Sequence, residues 1–263
     1  MQSNSKLNII SIIPARMGSS RFPGKPMADI LGMPMIGHVY KRVKLSKTLN
    51  EVYVATCDKE IYDYIESIGG KAIMTSDCHE RCSDRCAEAM LKIEKETKQK
   101  VDIMVMVQGD EPLTFPEMID EAVEPMLEDK NIKITNLVAD IETIKEFEDP
   151  NEVKVVMDKQ NNALYFSREP IPSRKKGIDK VPMKKQVCVI PFERNFLLEY
   201  NQMEPTPLEI IESVDMMRIL ENGGKVKMIS TKYKTKAVDT SDDLEKVIEI
   251  MKNDELFKVY IKN

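Results

Sequence analysis

The sequence predicts an α/β fold built on a Rossmann-like, doubly wound and mostly parallel sheet. Short apolar runs rich in β-branched residues alternate along the chain with segments whose apolar residues recur at helical spacing. This alternation is typical of a parallel sheet with helices on both faces. The 263 residues suffice for one large α/β domain or two small ones. We predict one domain over residues 1–263, because the later strands are expected to extend the same sheet.

The first half of the chain supplies the regular alternation. Residues 8–13 predict the first strand, and the apolar spacing over residues 35–43 predicts the helix that packs on it. His38 in this helix is interpreted as a residue with a local partner and not as a catalytic base. The predicted elements that follow are a strand at 51–56, a helix at 58–68 ended by two glycines, a strand at 71–75, a helix through residues 89–93 and a strand at 103–107.

Beyond residue 130 strand-like segments dominate, and we predict a strand-rich extension of the sheet in place of a separately folding domain. Residues 158–162 indicate a hairpin turn. Thr240 or Ser241 is predicted to cap the closing helix. The predicted elements of this half are strands at 132–139, 151–158, 163–166, 183–191 and 226–229, and helices at 193–200 and 207–222.

Composition narrows the classes of function. The formal net charge is −5 and 32% of the residues are charged, which argues against nonspecific nucleic-acid binding. No apolar run approaches the roughly 20 residues of a membrane span, and the first six residues lack the apolar core of a signal peptide. We therefore expect a cytoplasmic protein with neither a nucleic-acid nor a membrane partner.

The cysteines allow two interpretations. The chain has five, an odd number without a secretion signal, so structural disulfides are not expected. Cys78, Cys82 and Cys86 recur at every fourth residue and on a helix would form one stripe, which leaves a non-enzymatic metal-binding module as a remote alternative. The spacing matches no established ligand pattern. We favour cysteines that pack as small hydrophobic residues.

The loop after the first strand has the features of a phosphate-binding loop. Gly18 lets the backbone approach a ligand closely, and Ser19 can donate a hydrogen bond to a phosphate oxygen. Compensating charge is supplied by three cations, Arg16, Arg21 and Lys25. A Walker loop is excluded, because five residues separate Gly18 from Gly24 and a proline follows Lys25. A triphosphate would fit here; the alternative is a merely basic surface loop.

An acidic residue follows the strand at 103–107. Ligands of open parallel sheets bind outside the carboxyl ends of the strands, so Asp110 is expected to face the same crevice as the cationic loop. A carboxylate beside phosphates is repelled by them unless a divalent cation lies between. Asp110 is therefore a candidate metal ligand. The alternative is that Asp110 caps a helix before Pro112.

Residues 13–26 resemble the opening motif of the CMP-Kdo synthetases, the 3-deoxy-manno-octulosonate (Kdo) cytidylyltransferases, which belong to the nucleotidyltransferases that activate sugars and sugar acids. The resemblance covers nearly the whole chain, and its motifs occur in the family's order. The further matching segments are residues 107–112, 163–168, 207–209 and 238–240.

This resemblance implies a nucleotide-diphospho-sugar transferase fold with a nucleotide-binding half at 1–130 and an acceptor-binding and dimerisation half at 131–263. It implies transfer of CMP from CTP to a Kdo-like sugar acid or related anionic acceptor, with release of pyrophosphate, for cell-surface glycoconjugate synthesis. It also implies a homodimer. A nucleotidyltransferase that uses GTP or UTP, or another acid as acceptor, remains an alternative.

The resemblance also implies roles for single residues. Asp110 and Asp239 would hold Mg²⁺ and act in catalysis together with Arg16 and Lys25. Arg168 would pair with the acid group of the acceptor through a two-bonded fork. The residues implied to bind the nucleotide are Ala15, Arg16, Gly18, Ser19, Lys25, Ser83, Arg85 and Gln108. Those implied to bind the acceptor are Gln108, Arg168, Gln186 and Glu209.

The sequence departs from the family pattern in two places. Residues 81–85 match the family's Ser-Gly-Thr-Glu-Arg, but Cys82 replaces the glycine and would be strained at a positive φ. Residues 185–190 match Arg-His-Leu-Gly-Ile-Tyr, but Gln186 and Ile190 replace the His and Tyr that contact the sugar acid in the family. The loss of these polar groups predicts an altered acceptor, such as a modified octulosonate, another sugar acid or a small phosphonate-like acid.

Overall fold

A computed structural model describes residues 7–18, 22–175 and 181–261. Its strands are β1 (Ile9–Ala15), β2 (Asp29–Ile30), β3 (Met33–Pro34), β4 (Glu51–Thr56), β5 (Ala72–Met74), β6 (Ile103–Val107), β7 (Thr135–Asp140), β8 (Lys154–Met157), β9 (Ala163–Ser167), β10 (Lys184–Val187), β11 (Val189–Glu193) and β12 (Lys227–Ser230). Its α-helices are α1 (Met35–Val43), α2 (Lys59–Ser67), α3 (Cys82–Thr97), α4 (Pro116–Glu128), α5 (Ile144–Glu148), α6 (Arg194–Gln202), α7 (Pro207–Glu212), α8 (Met216–Glu221), α9 (Ser241–Lys252) and α10 (Glu255–Tyr260).

The first sheet has the strand order β11-β6-β1-β4-β5. Strand β1 lies at its centre and runs parallel to β4 and β6. Strand β5 continues the parallel arrangement, while β11 pairs antiparallel with β6. Every residue of β1 is buried, because helices cover both faces of the sheet. The predicted doubly wound, mostly parallel sheet is confirmed.

The two faces of β1 belong to two hydrophobic clusters. Ile10 and Ile12 pack into a cluster with residues of α3 and α6, and Ile9 and Ile13 pack into another with residues of α1, α2 and α4. This division follows from the alternation of side chains along a strand. The β-branched run at the start of the chain is therefore the centre of the core, and its carboxyl end is held rigidly.

The strand-rich region after residue 130 is confirmed, but it forms a second sheet, of order β12-β7-β10-β8-β9, and does not extend the first sheet as predicted; among its described strands only β11 joins the first sheet. Its pairs are antiparallel except for β12 with β7. An antiparallel bridge between Ile134 and Phe192 links it to the first sheet. The hairpin turn between β8 and β9 is confirmed, because the Asp158 amide donates to the Asn162 carbonyl at 2.8 Å.

Two elements predicted as continuous are interrupted. The strand expected at 183–191 breaks at Cys188, so that β10 joins the second sheet and β11 joins the first. The helix expected at 207–222 breaks at Ser213, whose φ of 52° ends α7 in a left-handed turn before α8 begins. Both breaks lie beside the functional site described below.

The three cysteines considered as a stripe on one helix do not lie on one helix. Helix α3 begins at Cys82, so Cys78 lies outside it and is exposed, whereas Cys86 is fully buried in the core. Cys82 is the first helical residue and therefore needs no positive φ. In the described parts of the chain, no three histidine, cysteine or carboxylate side chains lie close enough together to bind a metal.

The closing helices return to the first half of the chain. Thr240 caps α9 by accepting a hydrogen bond from the Asp243 amide, as predicted. Helix α10 was not predicted; it brings the Tyr260 hydroxyl to 2.8 Å from Nδ1 of His38, while Nε2 of His38 lies 2.8 Å from the Ile30 carbonyl. The interpretation of His38 as a residue with local partners is confirmed. None of the helices in the described ranges could span a membrane.

Candidate active site

Three depressions meet at the carboxyl ends of β1 and β6. The large cleft, of ≈ 520 Å³, lies between the two halves of the chain, and its lining includes Arg81, Gln108, Asp110, Arg168, Gln186 and Asp239. The loop pocket, of ≈ 280 Å³, is lined by Ala15, Arg16, Gly18, Lys25, Gln108 and Asp110 among others. The side pocket, of ≈ 80 Å³, is lined by Ala15, Arg16, His79, Arg81, Cys82 and Arg85 among others.

The cationic loop is fastened at both ends. The Met17 amide donates to the Asp58 carboxylate at 2.8 Å, and the Gly24 amide donates to the Met17 carbonyl at 3.0 Å. Gly24 has a φ of 73°, a left-handed conformation that favours glycine. Lys25 then opens a short 3-10 helix and points back into the loop pocket. Ser19 and Arg21, predicted in this loop, lie outside the described residues.

Lys25 joins the two predicted metal ligands. Its ammonium lies 2.7 Å from Oδ2 of Asp110 and 3.4 Å from Oδ1 of Asp239, although the three residues are far apart in sequence. The two aspartates approach each other because the Val238 amide donates to the Asp110 carbonyl at 2.9 Å. Asp110 does not cap a helix, since the next helix begins at Pro116. The expected meeting of Asp110 with the cationic loop is therefore found.

The two carboxylates fit a magnesium ion. They offer hard oxygen donors that converge on one positive charge, and both side chains are partly exposed to the cleft, by 29% for Asp110 and 21% for Asp239. Mg²⁺ usually binds one or two protein carboxylates and completes its shell with waters and substrate phosphates. The donor set therefore suits Mg²⁺ bound together with a nucleotide triphosphate.

Gln108 and Asp110 form the wall shared by the large cleft and the loop pocket. The Gln108 amide donates to the Cys188 carbonyl at 3.3 Å, and its side-chain Oε1 accepts from the Cys82 thiol at 3.3 Å. Burial raises the pKa of Cys82 to about 11, so the thiol stays protonated and can donate. Gln108 is thus held between the two halves, on the wall of both cavities.

Of the two residues of α3 predicted to bind nucleotide, one reaches a pocket. Arg85 lines the side pocket; its Nη1 donates to Thr75 Oγ1 and the Ser76 carbonyl, and its buried Nη2 has no hydrogen-bond partner among the described residues. That orphaned donor suits a ligand oxygen. Ser83 is fully buried and, among the described residues, is not part of the lining of the three depressions. Its predicted contact with nucleotide stays a prediction.

Arg168 lines the large cleft, but its guanidinium is largely engaged. Its Nε donates to the Glu212 carbonyl at 2.8 Å, its Nη1 to the Pro150 carbonyl at 2.8 Å and its Nη2 to the Ser213 carbonyl at 3.2 Å. Three of the five N–H groups of an arginine are thus used to hold two loops together. Two N–H groups remain for the predicted pairing with an acceptor.

Glu209 lines the large cleft. Its side chain is 3% exposed, and its carboxylate binds Arg218 through two bonds of 2.8 Å and Nη1 of Arg81 at 2.9 Å. Both oxygens are therefore engaged by guanidinium groups, which makes Glu209 an anchor for Arg81, and its predicted contact with the acceptor stays a prediction. Sequence reasoning missed Arg81, although the signal was available: a cation stands where the matched motif has serine.

The predicted acceptor residues of β10 and β11 lie on one wall of the large cleft. Nε2 of Gln186 donates to Oδ1 of Asn136 at 2.6 Å, which fixes the orientation of the amide. Cys188 and Ile190 line the same cleft, and Ile190 pairs with Met106 across the strands. Burial raises the pKa of the Cys188 thiol well above its usual range. This wall therefore presents one oriented amide beside uncharged, largely apolar side chains.

Glu111 adds a buried acid next to Asp110. Burial raises the pKa of Glu111 to about 7, and a hydrogen bond from the Thr235 hydroxyl partly offsets this effect. The carboxyl group is 8% exposed and lines the large cleft. The acidic end of the cleft therefore contains three carboxyl groups, of Asp110, Glu111 and Asp239, and only one described ammonium, of Lys25, in contact with two of them.

A cationic loop facing two carboxylates suits a nucleotidyltransferase, because ligands of open parallel sheets bind at the carboxyl ends of the strands and a divalent cation can bridge carboxylates and substrate phosphates. Comparison with known proteins gives the family. Residues 10–235 match the family described as cytidylyltransferase, over most of the chain. The chain belongs to the cytidylyltransferase family and is a CTP-dependent nucleotidyltransferase.

Named relatives agree over nearly the full length. A 3-deoxy-manno-octulosonate cytidylyltransferase of Geotalea uraniireducens is 44% identical over 256 residues, which cover 94% of this chain and all of the relative. One of Fusobacterium nucleatum is 41% identical over 251 residues, covering 95% and 99%. A solved CMP:2-keto-3-deoxy-manno-octonic acid synthetase complexed with CTP is 36% identical, with a TM-score of 0.85 and coverage of 93% and 98%. The family inferred from the motifs is confirmed.

Proposed function

We propose that this chain transfers CMP from CTP to a Kdo-like sugar acid, with release of pyrophosphate, in the synthesis of lipopolysaccharide or a related glycoconjugate. The observation that carries the proposal is the meeting of Lys25, Asp110 and Asp239 where the loop pocket opens into the large cleft. The curated relatives are named for this activity. A small phosphonate-like acid as acceptor, or another nucleotide, is the alternative that the test below separates.

The nucleotide is expected to occupy the loop and side pockets. Arg16 and Lys25 supply charge to the phosphates, while Gly18 and Ala15 let the backbone approach them. Arg85 has a buried donor free for a nucleotide oxygen. Gln108, on the shared wall, would orient the reacting groups. Ser19 keeps its predicted phosphate contact as part of the same proposal.

The reaction is an in-line displacement at the α-phosphorus of CTP. A bond forms from the acceptor oxygen to the α-phosphorus, the bond to the bridging oxygen of the β-phosphate breaks, and pyrophosphate leaves with the released electron pair. Asp110 and Asp239 would hold Mg²⁺, which when bound neutralises phosphate charge and raises the electrophilicity of phosphorus. Lys25 neutralises the same region and fixes both carboxylates.

The acceptor is expected to differ from plain Kdo. Gln186 and Ile190 stand where the family motif has His and Tyr, and Ile190 cannot form a hydrogen bond through its side chain. Each lost hydrogen bond is worth about 0.5–1.5 kcal/mol, more if a buried partner is left unsatisfied. An acceptor with fewer or differently placed hydroxyl groups would lose less binding free energy from these two replacements. Efficient turnover of plain Kdo, at a rate equal to the best alternative acid, would contradict this part of the proposal.

The test measures pyrophosphate release in the presence of Mg²⁺. The nucleotides tested are CTP, UTP and GTP, and the acceptors tested are Kdo, amino-Kdo, other sugar acids and small phosphonates. We expect release with CTP and one acid class, and a loss on the order of 10²- to 10³-fold in Asp110→Asn. Asp140→Asn is the matched control, because Asp140 is 76% exposed and pairs with Lys184 outside the cleft. Release that persists in Asp110→Asn, or requires another nucleotide, would contradict the proposal.

We also propose a cytoplasmic homodimer. The five cysteines are all free, which suits a reducing compartment. Large apolar side chains of the acceptor half are exposed, by 60% for Leu164, 66% for Ile210 and 74% for Ile211, and such side chains favour an interaction surface. Light scattering should give twice the chain mass of 30.1 kDa; a single chain mass at assay concentration would contradict the dimer.

A further inference from the structure

Arg81 stands at the junction of the large cleft and the side pocket, and it lines both. It is the N-cap residue of α3, with extended backbone angles, so its side chain departs from the start of the helix. The side chain is 24% exposed. Arg81 does not line the loop pocket, where Arg16 and Lys25 lie. Its charge is therefore directed toward the cavity between the two halves.

A buried ion pair holds Arg81 in place. Glu209, at 3% exposure, accepts from Nη1 of Arg81 at 2.9 Å and is itself held by the 2% exposed Arg218 through two bonds. Two guanidinium groups share the Glu209 carboxylate, so Glu209 alone does not neutralise both of them; the carboxylate of Asp215 also interacts electrostatically with Arg81. Glu209 is the sole ion-pair partner of Arg81 within the described ranges. Asp215 lines the same cleft without forming an ion pair with it there.

We propose that Arg81 binds an anionic group of the acceptor. This inference rests on the proposed function, since it assigns a contact within the same acceptor site. The cleft needs such a cation because Arg168, the other arginine of its wall, donates three N–H groups to backbone carbonyls. A guanidinium held by one bond still offers a pair of N–H donors to an oxyanion. A sugar-acid carboxylate and a phosphonate share this chemistry.

Arg81 can reach the acceptor because it lines the large cleft. The large cleft is bounded on its other side by Arg168 and Gln186 of the acceptor half. Anchoring by Glu209 fixes the guanidinium before any ligand binds, and a fixed donor loses less entropy on binding than a free side chain. Because Arg81 also touches the side pocket beside Arg16, a contact with CTP is the competing outcome, and the test is built to separate the two.

The test compares Arg81→Gln with the wild type in steady-state kinetics and in calorimetric binding of Kdo and of a small phosphonate to the CTP-bound enzyme. We expect the acceptor KM and Kd to rise about 30-fold, because a charge-assisted hydrogen bond is lost, while the CTP KM changes less than threefold. Arg81→Lys keeps the positive charge but lacks the paired N–H donors of a guanidinium. Its acceptor KM and Kd should lie between those of the wild type and of Arg81→Gln. The control is Arg174→Gln, since Arg174 pairs with Glu148 outside the cleft; it should match the wild type.

Each outcome of this test either supports or contradicts the assignment of Arg81 to the acceptor. A rise in the CTP KM with an unchanged acceptor KM assigns Arg81 to the nucleotide and overturns the inference, as do unchanged constants for both. If Arg81→Gln does not fold, Arg81→Lys, which can still pair with Glu209, decides by the same criteria. Whichever of Kdo and the small phosphonate binds more strongly shows whether the anionic group of the acceptor is a carboxylate or a phosphonate. Anion binding that depends on Arg81 without pyrophosphate release would sink the proposed function and leave this inference standing; no anion binding by the wild type overturns the inference.

Discussion

The two halves of the molecule use their buried and half-buried cations differently. In the nucleotide half, Lys25 meets the carboxylates of Asp110 and Asp239 inside the site, and Arg16 is exposed to it. In the acceptor half, Arg168 and Lys154 donate to backbone carbonyls. The first set of cations is available to ligands, whereas the second mainly holds the walls of the site.

This difference follows from the architecture. The nucleotide pockets lie at the ends of hydrogen-bonded parallel strands, so β1 and β6 already fix the geometry. On the acceptor side, β10 and β11 contribute Gln186 and Ile190, but the rest of the wall consists of the loop before β8, the segment after β9 and the turn between α7 and α8, which lie outside the strands and need other contacts to align them. Cations that bridge their carbonyls perform that task. Substitutions of the ligand-facing cations, Arg16 and Lys25, should therefore reduce turnover. Substitutions of the wall-holding cations, Lys154 and Arg168, should weaken the fold and the acceptor site.

The largest effect is expected for Lys25→Met. Removing the ammonium leaves Asp110 and Asp239 facing each other without their shared partner, and it removes a charge that would stabilise the transferring phosphates. We expect kcat/KM for CTP to fall about 10³-fold, equivalent to about 4 kcal/mol. Lys59→Met is the control, because Lys59 is 82% exposed and pairs only with Asp63 on the surface of α2. A decrease of less than tenfold in kcat/KM for CTP would show that Lys25 does not act on the ligand.

A second prediction concerns how acid acts on the nucleotide half. Burial lowers the pKa of His38 from 6.5 to about 4, so between these values the unfolded chain binds a proton that the folded chain does not. The stability contributed by neutral His38 is complete above pH 6.5 and is lost as the pH falls toward 4. The lost free energy of unfolding is about 3 kcal/mol. Denaturant titrations from pH 7 to pH 4 measure it.

His38→Gln is the matched variant, because its amide can still reach the Tyr260 hydroxyl and the Ile30 carbonyl but does not titrate. The wild type should lose about 3 kcal/mol more than this variant between pH 7 and pH 4. Equal losses would mean that the contact between α1 and α10 is not acid-sensitive. The acceptor half contains no histidine, so this acid response would distinguish the two halves.

The same contrast explains what sequence could predict. Strands and helices of the first sheet follow from hydrophobic periodicity alone, and strand ends place Asp110 beside the cationic loop because parallel strands share one edge. The approach of Asp110 to Asp239 could be predicted only from the family motif, since the hydrogen bond from Val238 that brings them together joins segments far apart in sequence. No local pattern indicates a contact of that kind.

The acceptor half was predicted less well for a physical reason. The break at Cys188 is caused by a change of sheet, and the break at Ser213 by a left-handed residue that is not glycine; neither interrupts the apolar pattern. The engagement of Glu209 by Arg81 and Arg218 joins three separate segments. Pairing of buried charges depends on tertiary distance, so sequence reasoning identified Glu209 as part of the site but did not predict its ion pairs with Arg81 and Arg218.

The smallest predicted effect tests the wall-holding set directly. Lys154 is fully buried, and its ammonium donates to the carbonyls of Asp149, Glu152 and Arg168. Burial lowers its pKa, so the carbonyls replace water as its partners. Lys154→Met would remove this donor from three carbonyls, of which that of Asp149 still accepts from the Glu152 amide. Burial of the methionine costs less than burial of the lysine, so we expect a net loss of about 2 kcal/mol in stability.

Two of these carbonyls belong to Glu152 and Arg168, which line the cleft. The acceptor KM of Lys154→Met should therefore rise about fivefold, since a change of about 1.4 kcal/mol in binding free energy changes the constant tenfold. The CTP KM should stay within twofold, since the loop pocket lies on the other sheet. Lys184→Met, which removes a partner of Asp140 from the neighbouring strand β10, is the control for stability. A rise in the CTP KM equal to that for the acceptor would show that the halves are coupled through Lys154, and the division between ligand-facing and wall-holding cations would then fail at this residue.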